Sequence, residues 1–153
     1  MSSRRAFWGL LGVAVASLVL GVYVYLVERP VGSSYLSSWF SLSLPSQLGK
    51  LAFNLPSFTH ALTFSLFLIL LMQRRVVLYC LLWFGLEVSF EFAQHPALAK
   101  LILPVLPEHS ALANFMRYGT FDGFDILAVC LGCFGAWLLA RYAIRKVEHD
   151  SFA

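Results

Sequence analysis

A chain of 153 residues has room for one domain. With 59% hydrophobic residues, 12% charged residues and a mean hydropathy of +0.77, it lies outside the composition of soluble globular proteins. A soluble domain this small could not hide so much apolar surface, so lipid is the expected solvent for most side chains. The formal net charge of +3 matters for its distribution, and no nucleic-acid partner is expected from it.

Arg4 and Arg5 precede an uncharged run from Ala6 to Val27, and roughly 20 apolar residues suffice to cross a bilayer core. The run exceeds a signal-peptide apolar region, and no convincing small-x-small cleavage site follows it before Glu28-Arg29-Pro30, so it is read as a retained first helix. Val31 to Leu55 holds no continuous span. Between Ser33 and Leu44, serines alternate with Tyr35, Leu36, Trp39 and Phe40, a pattern suited to a segment lying at the headgroup boundary. Pro56 to Met72 is a second span, and Gln73-Arg74-Arg75 a tight polar turn. Val76 to about Ala93 is a third. Gln94 to Asp122 is a second long connection, rich in Pro and Leu, expected to rest on the membrane through Leu98, Leu101 and Ile102. The last span runs from Gly123 to about Ile144, with Asp122 as N-cap and Asp125 in its first turn. The expected architecture is therefore all-α and polytopic, a single transmembrane domain over 1–153 with spans at about 6–27, 56–72, 76–93 and 123–144.

Seven basic residues (Arg4, Arg5, Arg74, Arg75, Arg141, Arg145 and Lys146) flank one side of these spans. Arg29, Lys50, Lys100 and Arg117 are spread over the two long connections. The positive-inside rule puts both termini in the cytoplasm and the long connections outside. Cys80, Cys130 and Cys133 all fall in apolar runs, where a disulfide is not expected. Cys130 and Cys133 form a C-x-x-C without a second pair, read as two small residues packing against a neighbouring helix.

Ionisable groups at membrane depth cost a few kcal/mol even on mild scales, about 2.5–3.5, which makes each a functional candidate. Glu87, Glu91 and Gln94 follow i, i+4, i+7 spacing and share one face of the third helix. Glu87 is expected near the midplane and Glu91 in the outer leaflet. His60, in the first turn of the second span, together with Asp122, Asp125 and the nearby Arg117, is expected at the same outer depth as Glu91 and Gln94. Three readings fit. The cluster is a structural network locking the helices in register, a polar pocket for a lipid-linked or zwitterionic headgroup, or an acid–base or metal site built on His60, Glu91 and Asp125. No nucleophile motif, H-E-x-x-H or paired C-x-x-C supports catalysis, so the enzyme reading stands third, and no cofactor or metal is expected.

A His at the head of the second span, Glu91-x-x-Gln94 closing the third, and Arg117-Tyr-Gly119-Thr120-Phe121-Asp122-x-x-Asp125-Ile-Leu-Ala-x-x-x-Gly132 opening the fourth resemble the VanZ-like family. The resemblance covers roughly Pro56 to Leu139. It implies a small helical protein of the bacterial inner membrane, in a family whose founding member is linked to low-level teicoplanin resistance. It also implies an outer-face site made of His60, Glu91, Gln94, Arg117, Asp122 and Asp125. Val129 stands where many members have Asn, and Glu87 is an additional intramembrane carboxylate. The expected partners are membrane lipids, with a lipid-linked or glycopeptide-like envelope ligand or a membrane protein at the cluster. A structural accessory subunit of a larger complex is the alternative, and an enzyme acting on a lipid-linked substrate the third.

Overall fold

The computed structural model describes residues 4–28, 48–49, 51–73, 75–108 and 110–150. Helix α1 spans Arg4–Tyr23 and continues as a π-helical turn, Val24–Glu28. It is followed by α2 (Leu51–Met72), α3 (Val76–Ala93), the short α4 (Pro96–Ile102) with a 3₁₀ turn (Leu103–Val105), α5 (Ala111–Tyr118) and α6 (Gly123–Asp150). No strand occurs among the described residues. Among the described residues, four helices are long and apolar enough to cross a membrane: Arg4–Val27, Leu51–Met72, Val76–Ala93 and Gly123–Val147. The chain is thus an all-α polytopic protein. The expected interfacial segment around Tyr35, Leu36, Trp39 and Phe40 lies outside the described residues.

Helices α2 and α6 form the central pair, with α1 and α3 flanking it. In lipid there is little hydrophobic drive to bring helices together, so close approach depends on small residues. Ala128, Gly132, Ala136 and Ala140 recur every four residues and stripe one face of α6, and the three alanines are buried. Leu127, Leu131, Phe134 and Leu138 form the exposed stripe opposite. At Gly132 a Cβ would lie 2.5 Å from the Phe58 carbonyl oxygen and 2.9 Å from Ala61 Cβ, so only glycine admits this crossing. One turn on, Ser65 Oγ donates to Cys133 Sγ at 3.4 Å. Cys133 therefore packs as the C-x-x-C reading expects, but Cys130 is exposed on the other side of the helix, and all three cysteines are free.

Polar contacts also join α1 to α2. Ser17 Oγ donates to the Thr59 carbonyl at 3.2 Å, and Thr63 Oγ1 to the Ala14 carbonyl at 3.2 Å. Gly21 faces the Thr59 side chain, where a Cβ would approach Oγ1 to 2.5 Å. By contrast, α3 buries only Cys80.

Helix α2 starts five residues before the expected boundary at Pro56, which sits inside the helix. The proline withholds one backbone donor, from the Ala52 carbonyl four residues back. Such a gap is tolerated in membrane helices where neighbouring side chains and backbone adjust. Here the Thr59 hydroxyl, one turn later, donates back to the Leu55 and Pro56 carbonyls at 3.1 and 3.0 Å. The apolar run from Leu51 then continues as one helix. Every residue of the second span therefore lies five residues further from the helix start than expected.

The connection from Gln94 to Asp122 is not an irregular loop. His95 caps α4 by accepting the Ala97 N–H, with Pro96 in the first turn, and Ser110 caps α5 by accepting the Ala113 N–H. Ala99, Ala113 and Met116 are buried, whereas Leu101 is exposed. Aromatic contacts pin the segment to α3, through Phe90–Phe115 at 5.8 Å and Phe92–Phe121 at 5.8 Å between ring centroids.

Candidate functional site

The N-terminus of α6 gathers the polar residues. Asp122 caps the helix, its Oδ1 accepting the Phe124 N–H at 2.9 Å, as the sequence pattern anticipates. Its own backbone N–H donates to Glu91 Oε1 at 2.6 Å, so a carboxylate from the end of α3 holds the α6 entry. Asp125 lies in the first turn. The partial positive charge of a helix N-terminus favours carboxylates placed there.

From α2, Asn54 Nδ2 donates both to Asp125 Oδ1 at 3.0 Å and to Asp122 Oδ2 at 3.2 Å. Ser57 Oγ, one turn further along the same face, donates to Asp125 Oδ1 at 2.8 Å. Three helices therefore meet in one network of Asn54, Ser57, Glu91, Asp122 and Asp125. All five are half-buried. Each carboxylate has two oxygens with room for several donors. After these bonds, Glu91 Oε2 and Asp125 Oδ2 accept no hydrogen bond among the described residues. The site is rich in acceptors and suited to a ligand rich in donors.

Of the six expected site residues, Glu91, Asp122 and Asp125 are brought together directly. Gln94, the C-cap of α3, has its side chain against Gly119, where a Cβ would come within 2.5 Å of its amide. His60 does not join the cluster. It sits nine residues into α2, about 13 Å along the helix axis, because the helix begins at Leu51. There His60 Nδ1 pairs with Glu87 Oε1 rather than with Glu91. This pair lies mid-bundle and is half-open on the His60 side. Phe64 and Trp83 frame it, with ring centroids 4.5 and 5.7 Å from the imidazole and 4.8 Å from each other. Arg117 is also apart from the aspartates. It is exposed, and its guanidinium reaches the Glu108 carbonyl at 3.4 Å. The only ion pair among the described residues is His60–Glu87.

Asn54 and Ser57 were not expected. Reading Pro56 as the start of the span assigned Asn54 to the preceding loop. The signal that could have found it is an amide three residues before a serine, on one helical face, within an otherwise apolar run. Among the described residues, no group of three or more His, Cys, Asp or Glu could hold a metal ion. No protein family, curated protein or solved structure matches the chain.

Proposed function

We propose that this chain is a VanZ-like, multi-pass protein of the bacterial inner membrane whose outer-face carboxylate cluster binds an envelope-associated ligand. Both termini are cytoplasmic in this reading, because the basic residues concentrate at the ends and at the α2–α3 turn. Reporter fusions after Arg75 and after Lys146 then read as cytoplasmic, and a fusion near Glu108 as external. A C-terminus outside the cytoplasm contradicts it.

The observation that carries the binding reading is the convergence of Glu91, Asp122 and Asp125 at the α6 N-terminus with acceptor oxygens to spare. Amines and hydroxyls complement such a site, and a lipid-linked or glycopeptide-like molecule carries those groups. Arg117, exposed and bonded to the Glu108 carbonyl, supplies a cation for an anionic group on the same molecule. Mass spectrometry of molecules co-purifying with the detergent-solubilised protein tests the proposal. An amine- or hydroxyl-rich envelope molecule accompanies the wild type and is lost from Glu91→Gln. The same set of molecules from both proteins, or none from either, opposes it.

A second reading, the structural accessory subunit, draws on the Asn54 amide. One donor group bonding both aspartates is what a lock between α2 and α6 requires.

A further inference from the structure

The other end of the bundle holds a second feature, distinct from the cluster of Glu91, Asp122 and Asp125. Between α1 and α3, over the flank of α2, runs a crevice of about 380 Å³. Phe7 and Leu11 wall it from α1, Phe64, Phe67 and Leu71 line its length on α2, and Trp83 closes it from α3. On α2 the lining runs from mid-helix, where Phe64 stacks on Trp83, down to the last turn before Gln73. Along that length, Phe64 to Leu71, the helix rises about 10 Å, most of one bilayer leaflet.

An apolar space of this size does not hold water, which needs polar partners. Left empty, its walls would forfeit dispersion contacts. The crevice opens sideways onto the surface that lipid covers, so hydrocarbon is the available filler. Three arginines lie close in the chain to its lining residues. Arg4 and Arg5 lie within one turn of Phe7, and Arg75 follows Leu71 across the turn. All three are exposed, and none forms an ion pair among the described residues. The turn itself holds Gln73 and Arg75 in left-handed backbone conformations, with φ of 52° and 51°.

We propose that this crevice is a lipid site, holding one acyl chain of an anionic phospholipid whose phosphate is bound by Arg4, Arg5 and Arg75. The chain lies along Phe67 and Leu71 and ends at the Phe64–Trp83 stack. Each basic residue near the surface strengthens binding of an anionic lipid by about fivefold, before screening reduces the product. A preference on the order of tenfold for an anionic over a zwitterionic phospholipid is expected.

Trp83 makes the site measurable. In a variant with Trp8, Trp39 and Trp137 changed to Phe, Trp83 is the remaining indole, and bromine on an acyl chain quenches it on contact. The protein is placed in phosphatidylcholine vesicles containing a small fraction of chain-brominated phosphatidylglycerol, or of chain-brominated phosphatidylcholine. Half-quenching is expected at a roughly tenfold lower mole fraction of the brominated phosphatidylglycerol. Changing Arg4, Arg5 and Arg75 to Gln is expected to abolish that difference while Trp83 stays quenchable. Equal quenching by both lipids in the arginine-bearing protein overturns the proposal. Should the triple-Phe variant fail to fold, native mass spectrometry of the wild type from mixed micelles of the two lipids decides the matter. Retained phosphatidylglycerol supports the site, and equal retention of both lipids, or of neither, refutes it.

Discussion

Along the seam of α2 and α6, Gly132 lets backbone touch backbone, and Ala128, Ala136 and Ala140 extend the contact without a single charge. Helix α3 is attached differently. It buries only Cys80, and its ties to its neighbours include two carboxylates, Glu87 on the His60 imidazole and Glu91 on the Asp122 N–H. Steric fit holds the body of the first pair, whose bonds from Asn54 and Ser57 to carboxylates are confined to the start of α6, whereas directional polar bonds position the second. The difference separates two jobs. A seam of small residues tolerates almost no change in shape but carries no chemistry. Polar ties are individually modest in membranes, averaging about 0.6 kcal/mol in measured cases, so a helix held by them can carry reactive or ligand-binding groups at small cost to the fold.

The comparison breaks most visibly at Gly132. Gly132→Val drives side-chain atoms into the Phe58 carbonyl and Ala61, and overpacking of this kind costs about 3 kcal/mol. Thermal unfolding in detergent should shift by several degrees or more, and poor accumulation in the membrane is the expected companion. An unchanged melt would mean that the α2–α6 crossing is looser than described.

Next in size is Asn54→Leu. It removes the amide that bonds Asp122 and Asp125 together, leaving two half-buried carboxylates short of donors, at about 1–3 kcal/mol. Restoring a donor with Asn54→Gln or Asn54→Ser should recover part of the loss in the same melt. No loss in Asn54→Leu would show that the bridge carries no weight.

Glu87→Gln should have a smaller effect, below about 1 kcal/mol, since an amide keeps the shape and can still bond His60. Membrane accumulation close to wild type is expected. Disappearance of the protein would instead show that the mid-bundle charge is required for folding.

These positions also show how far the sequence could be read. The four spans were legible because about 20 apolar residues in a row admit few other interpretations, and the Asp122 cap because its spacing to the helix start is local. Glu91, Asp122 and Asp125 could be placed at one depth by counting rise per residue. Convergence of faces could not be counted, since it depends on helix rotation set by contacts such as Gly132 on Phe58. Pro56 misled in a specific way. Proline stops most helices in water, yet in α2 it costs one backbone bond, and the helix passes through it. That displaced His60 by more than a turn, sent it to Glu87, and hid Asn54 and Ser57. Arg117 was expected near a carboxylate because opposite charges attract, but α5 presents it outward to the Glu108 carbonyl.

The account rests on the carboxylate cluster being a binding site more than a fastener, and Asp125→Asn set beside Gly132→Val in one detergent tests this most directly. The asparagine keeps an oxygen for both the Asn54 amide and the Ser57 hydroxyl while losing the charge. The account predicts a melting temperature within a few degrees of wild type for Asp125→Asn, far above that of Gly132→Val, together with loss of the co-purifying envelope molecule. An Asp125→Asn protein that unfolds as early as Gly132→Val, or that melts normally and keeps the same bound molecules as wild type, would contradict it.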